Sequence, residues 1–147
     1  TTIADILKGI EEYPVDTVVI TGGEPLMWKL EKLTSALKER GLKVHLETSG
    51  AYSYSGDFDW VCLSPKKMQA PLTEIKPLIS ELKVIVNNKH DFVWAQEQRE
   101  GLSADCKLYL QAEWSKRETV IPMIIDFIKE NKEWTISLQS HKYMNIP

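Results

Sequence analysis

The chain has 147 residues, of which 43% are apolar and 27% charged, with a formal net charge of −3. That is the composition of a globular protein able to build a real core, burying roughly 70% of its unfolded surface at this length. No apolar run approaches the roughly 20 residues that span a bilayer. Thr1-Thr2-Ile3-Ala4-Asp5 lacks the basic flank and apolar stretch of a secretory signal, and a weak negative charge argues against a general nucleic-acid binder. The expectation is a single cytoplasmic domain over 1–147, with neither membrane nor nucleic acid as partner. Cys62 and Cys106 sit far apart inside apolar runs, as reduced, buried core thiols do, and neither has a neighbour at metal-ligand spacing.

Taken in chain order, the sequence alternates between two periods. Asp5 to Glu12 carries Ile6, Leu7 and Ile10 at helical spacing and is stopped by Pro14. Val15 to Thr21 is a β-branched run closed by Gly22-Gly23, as in a parallel strand buried on both faces. Leu30 to Arg40 predicts an amphipathic helix with Leu30, Leu33 and Leu37 on one stripe and Gly41 as its stop. Strands follow at Lys43 to Glu47, Trp60 to Leu63 and Glu81 to Val86, then a helix over Asp91 to Arg99. A strand at Lys107 to Gln111, a helix at Thr119 to Asn131 and a strand at Trp134 to Leu138 complete the pattern. Six strands with helices between most of them specify an α/β domain with a mostly parallel sheet. Periodicity leaves a partial barrel and an open sheet equally open.

Chemistry-bearing residues collect just past the strand ends: Gly22-Gly23-Glu24, Glu47-Thr48-Ser49, Ser64 and Lys66, Gln111 and Glu113, Gln139 and His141. Turns favour Gly, Ser, Pro and Asn, but turn geometry does not ask for Glu, Lys, Gln and His. In parallel α/β folds the C-terminal strand ends converge on the ligand site. Thr21-Gly22-Gly23-Glu24-Pro25 follows a strand, where two glycines let backbone approach a ligand closely. It is neither a dinucleotide fingerprint nor a P-loop.

Thr21-Gly22-Gly23-Glu24-Pro25-Leu26 resembles the GGEP motif of radical S-adenosylmethionine (SAM) enzymes, and Glu47-Thr48-Ser49-Gly50 resembles their E-T-(S/N)-G segment. With Ser64-Pro65-Lys66, Leu82-Lys83-Val84-Ile85 and Ser137-Leu138-Gln139-Ser140-His141-Lys142, the chain is similar from about Val18 to Pro147 to the 7-carboxy-7-deazaguanine synthases. The resemblance implies a partial (β/α) barrel of the radical SAM type whose first strand and cluster loop are missing. It implies conversion of 6-carboxy-5,6,7,8-tetrahydropterin to 7-carboxy-7-deazaguanine, in queuosine and deazapurine biosynthesis. The cofactors implied are SAM, a 4Fe–4S cluster and Mg2+.

The family holds its cluster with three cysteines of a C-x(n)-C-x2-C loop, for which this chain has no substitute, so the chain alone is expected to be inactive. By the same resemblance, Gly22, Gly23, Glu24, Thr48, Ser49, Ser64, Lys66 and Gln111 face SAM. Gln111 stands where the family has Gln-Pro, with Ala112 in place of the proline. Gly23, Gln139, His141 and Pro147 are expected to face the pterin substrate, the last through its carboxylate, which can accept from the ring's donor edge. No catalytic side chain and no metal ligand is assigned.

Glycyl-radical-enzyme activases share GGEP, and a cluster-less SAM- or pterin-binding module is the alternative outside enzymes. His45 reads as a structural strand residue, His90 as solvated, Lys66-Lys67 as open to reading as a solvated pair, and the tryptophans Trp28, Trp60, Trp94, Trp114 and Trp134 as packing residues. A missing first strand would expose the edge of the Val15 to Thr21 strand, and exposed edges invite pairing, hence an expected homodimer.

Overall fold

A computed structural model describes residues 1–146. Six strands, β1 (Thr17–Ile20), β2 (Lys43–Thr48), β3 (Trp60–Leu63), β4 (Glu81–Val86), β5 (Lys107–Ala112) and β6 (Trp134–Ser137), form one sheet in the order β1-β2-β3-β4-β5-β6. Every neighbouring pair is parallel. The helices are α1 (Ile3–Glu11), α2 (Glu31–Lys38), α3 (Asp91–Gln98), α4 (Arg117–Glu130) and α5 (Ser140–Tyr143). This is the partial (β/α) barrel expected, parallel throughout.

A monotonic strand order with right-handed crossovers gathers the helices on one face of the sheet. That face carries Leu46, Val61, Leu63, Leu82, Val84, Leu108 and Leu110, packed with Ala95 of α3 and Val120 and Ile124 of α4 into the core. The alternate positions point the other way. There His45, Glu47, Lys83, Ile85, Tyr109 and Ser137 are only partly buried and Thr135 is exposed. The expectation of a sheet buried on both faces is thus corrected. β1 lacked the strict alternation of a half-buried strand because it is short and lies at the sheet edge, where Val19 is 54% exposed.

Most boundaries fall within two residues of the sequence reading. α1 begins earlier, because Thr2 and Asp5 form a capping box in which each side chain bonds the other's backbone N–H at 3.2 and 2.8 Å. Two of the side-chain expectations also change. Trp28 is exposed rather than packed, and Cys106 is only half-buried, whereas Cys62 is buried on β3. His45 lies on the open face with its ring 6.3 Å from that of Trp60. His90 precedes α3 and is exposed.

A candidate site at the C-terminal strand ends

β1 runs directly into Thr21-Gly22-Gly23-Glu24. Gly22 has φ +130, and a Cβ built there would meet nothing within 4 Å. The glycine is therefore required by backbone conformation and not by crowding. Pro25 opens a 3-10 turn over Pro25–Met27, capped by Glu24, whose Oε1 accepts from Leu26 N–H at 3.1 Å. The same carboxylate reaches across to the end of β2. It accepts from Thr48 Oγ1 at 2.5 Å, from Ser49 N–H at 2.8 Å and from Ser49 Oγ at 2.5 Å. Partial burial opposes the charge on Glu24, but these hydroxyl and backbone donors outweigh it and hold the carboxyl below its ordinary value. Glu24 is a brace between two strand ends, and the Thr48 and Ser49 hydroxyls donate to it. What the β1 turn offers a ligand is its backbone.

Thr21 to Glu24, Glu47 to Ser49, Ser64 and Lys66 line a cleft of about 120 Å3 over β1, β2 and β3. Ser64 is buried, its N–H bonded to Thr48 O at 2.7 Å. Lys66 Nζ donates to Ser64 Oγ at 3.4 Å and forms no ion pair among the described residues. The cleft thus sets the Thr21 to Glu24 segment and an ammonium without an ion pair among the described residues around a space smaller than the roughly 300–1,000 Å3 of pockets for drug-sized ligands. A space of this size with a lysine ammonium can take a small carboxylate-bearing group.

Gln111 does not join that cleft. It lies at the end of β5, its Oε1 accepting from Ser137 Oγ at 3.2 Å, and shares a smaller cavity with Gln139, Trp114 and Tyr143. His141 is exposed on α5. The expected SAM-facing residues are therefore divided, with Gln111 grouped with Gln139. Gly23 lies in the first cleft, apart from the other expected substrate residues. Pro147 lies outside the described residues.

Sequence reasoning missed two arrangements. On the open face, Lys83 Nζ pairs with Glu47 Oε1 at 2.8 Å. Burial works against the Lys83 charge, but the Glu47 carboxylate holds its pKa above the ordinary value. A lysine in alternation with apolar strand residues was the available signal. Lys67 is not simply solvated. It pairs with Asp91, whose side chain is 0% exposed.

The thiols do not suit a 4Fe–4S cluster. Cys62 is buried within β3 and Cys106 precedes β5. Among the described residues no group of three His, Cys, Asp or Glu side chains is placed to hold a metal.

The 7-carboxy-7-deazaguanine synthase of Flavobacterium psychrophilum is 52% identical to the chain over 142 residues, covering 97% of it and 67% of the relative. The 7-carboxy-7-deazaguanine synthase of a Synechocystis species is 44% identical over 145 residues, covering 99% and 69%. The chain belongs to the 7-carboxy-7-deazaguanine synthase family. The structure of QueE from Escherichia coli matches with a TM-score of 0.84 at 27% identity, over 95% of this chain and 64% of that one. No protein-family profile matches the chain. The chain thus spans about two thirds of the length of the family members it matches. No helix among the described residues is long and apolar enough to cross a membrane.

Proposed function

We propose that residues 1–147 form the SAM- and substrate-facing part of a radical SAM 7-carboxy-7-deazaguanine synthase acting on 6-carboxy-5,6,7,8-tetrahydropterin. The observation that carries this reading is the cleft shared by three adjacent strand ends. There the Glu24 brace fixes the Gly22-Gly23 turn against Thr48-Ser49, and Lys66 stands opposite without a carboxylate. In it, the carbonyls of the β1 turn receive the ammonium of SAM, and Lys66 with Ser64 receives its carboxylate. When bound at a 4Fe–4S cluster, SAM supplies the radical that abstracts hydrogen from the substrate. Gln139 and His141 face the pterin on the β6 side, and Gln111, bonded to Ser137 beside Gln139, is reassigned from SAM to that side.

With two cysteines placed as they are, the chain has no thiolate set for the cluster, so alone it binds without turning over. Mg2+ has no assigned ligand here and remains a family expectation. The cytoplasmic location and the homodimer belong to the same reading; the exposed β1 edge supports the latter.

Titration of the chain with S-adenosylhomocysteine by isothermal calorimetry tests the cleft. Binding is expected, weakened about tenfold in Lys66→Ala, which corresponds to about 1.4 kcal/mol. Absence of binding at millimolar ligand overturns the SAM reading. Unchanged affinity in Lys66→Ala removes Lys66 from the site.

A further inference from the structure

Lys66 lies in an exposed stretch, Lys66 to Ala70, that follows the buried β3 end. Apart from Lys67, the stretch is lightly restrained. Lys66 and Gln69 form one isolated bridge, and Gln69 Nε2 reaches Ala51 O only at 3.5 Å. An exposed lysine on such a segment would normally sample many rotamers and lose that freedom on binding an anion.

Its neighbour is held far more firmly. Lys67 Nζ bonds Asp91 Oδ1 and stands 5.4 Å from the centre of the Trp94 ring. Asp91 opens α3 with its side chain 0% exposed. Its other oxygen accepts from Asn87 N–H at 2.6 Å and Asn88 N–H at 3.3 Å. A buried carboxylate demands such partners, and here two come from the β4–α3 turn and one from the β3 loop. The pair joins two loops between which no backbone hydrogen bond forms among the described residues. Lys66 and Lys67 are adjacent at the start of a hydrogen-bonded turn, in which Gln69 N–H bonds Lys66 O at 3.3 Å. Tying Lys67 down on Asp91 and Trp94 holds the start of this turn in place, with Lys66 lining the cleft.

We propose that Lys67, anchored on Asp91 and Trp94, is a positioning residue that aims Lys66 at the carboxylate of an amino-acid-bearing ligand. This rests on the assignment of Lys66 to that carboxylate made above. The pair itself touches no ligand.

The test compares two probes on the purified chain by isothermal titration calorimetry, S-adenosylhomocysteine, which carries the carboxylate, and 5′-deoxyadenosine, which does not. Lys67→Met keeps the apolar stem over Trp94 and leaves Asp91 its two backbone donors, so the fold is expected to survive, as an unchanged near-ultraviolet circular dichroism spectrum would show. The expected result is an affinity for S-adenosylhomocysteine lowered about three- to tenfold, the range of a lost partly exposed ion pair. 5′-Deoxyadenosine affinity stays unchanged, and Lys67→Arg restores most of the loss.

Equal weakening of both probes would mean a general structural role and overturn the proposal. So would wild-type affinity for both in Lys67→Met while Lys66→Ala remains impaired. If Lys66→Ala itself binds S-adenosylhomocysteine normally, the assignment of Lys66 fails first, and this proposal falls with it.

Discussion

Replacing Glu24 with Gln removes one charge and leaves the side chain's shape almost intact, which isolates the brace. The carboxylate accepts from two backbone N–H groups, Leu26 and Ser49, and from two hydroxyls, Thr48 and Ser49, with one of each on either oxygen. An amide has one oxygen and one NH2, so either orientation turns the NH2 toward a backbone N–H. The hydroxyls can rotate and accept; the amide N–H cannot. One partly buried backbone donor is left without a partner, at a cost of about 1–3 kcal/mol, and the remaining bonds lose the strength that an ionised acceptor gives. We expect Glu24→Gln to destabilise by about 2–3 kcal/mol at pH 7, or about 5–10 °C in Tm at this chain length.

The pH dependence supplies the refutation. Because the Glu24 carboxyl is held below its ordinary value of 4.5, its contribution is fully present above that value and fades as pH falls through the lower, folded-state one. Urea unfolding followed by tryptophan fluorescence should therefore show the two proteins converging below about pH 4. Equal stability at pH 7, or a gap unchanged down to pH 3, would refute the brace.

Other perturbations read the fold around it. At Gly50, with φ +73, an added Cβ would stand 2.6 Å from Leu63 Cδ1 and 3.2 Å from Pro71 Cβ. Gly50→Ala should therefore cost about 2–4 kcal/mol in the same urea assay, from left-handed strain plus overpacking. Ile124 is fully buried between α4 and the sheet, so Ile124→Ala should cost about 2–5 kcal/mol in chemical denaturation. Burial pushes both thiols up. Alkylation at pH 8 followed by mass spectrometry should accordingly be slower at Cys62 and Cys106 in the native chain than in urea, with Cys62 the slower. Native labelling of Cys62 at the unfolded rate would contradict its burial.

The strands were legible because their apolar residues, such as Val84 and Val86, faced a core whatever lay opposite. The strand-end cleft was legible because Glu24, Glu47 and Lys66 stood at turns whose chemistry did not require them. What stayed hidden depended on pairing across the chain. Asp91 looked like an ordinary residue at a helix start, and only the folded β3 loop brings Lys67 to it. The role of Glu24 was hidden for the same reason, since its four donors come from both sides of a 25-residue gap. Trp28 was misread because a large aromatic is a good prior for burial, and the 3-10 turn before it turns the ring outward.

The plain order of the sheet has a consequence for how the chain can be made. Each strand pairs only with the strands before and after it in sequence, so no pairing must wait for a distant segment to be synthesised. A ribosome emitting this chain releases β1 and β2 as a pair that can already register. Each later strand then finds a finished edge to dock on. Such growth keeps loop closures short, and it leaves only one unpaired edge at the growing front at any moment. The segments that become the cleft over β1, β2 and β3 leave the exit tunnel together, ahead of α4 and β6.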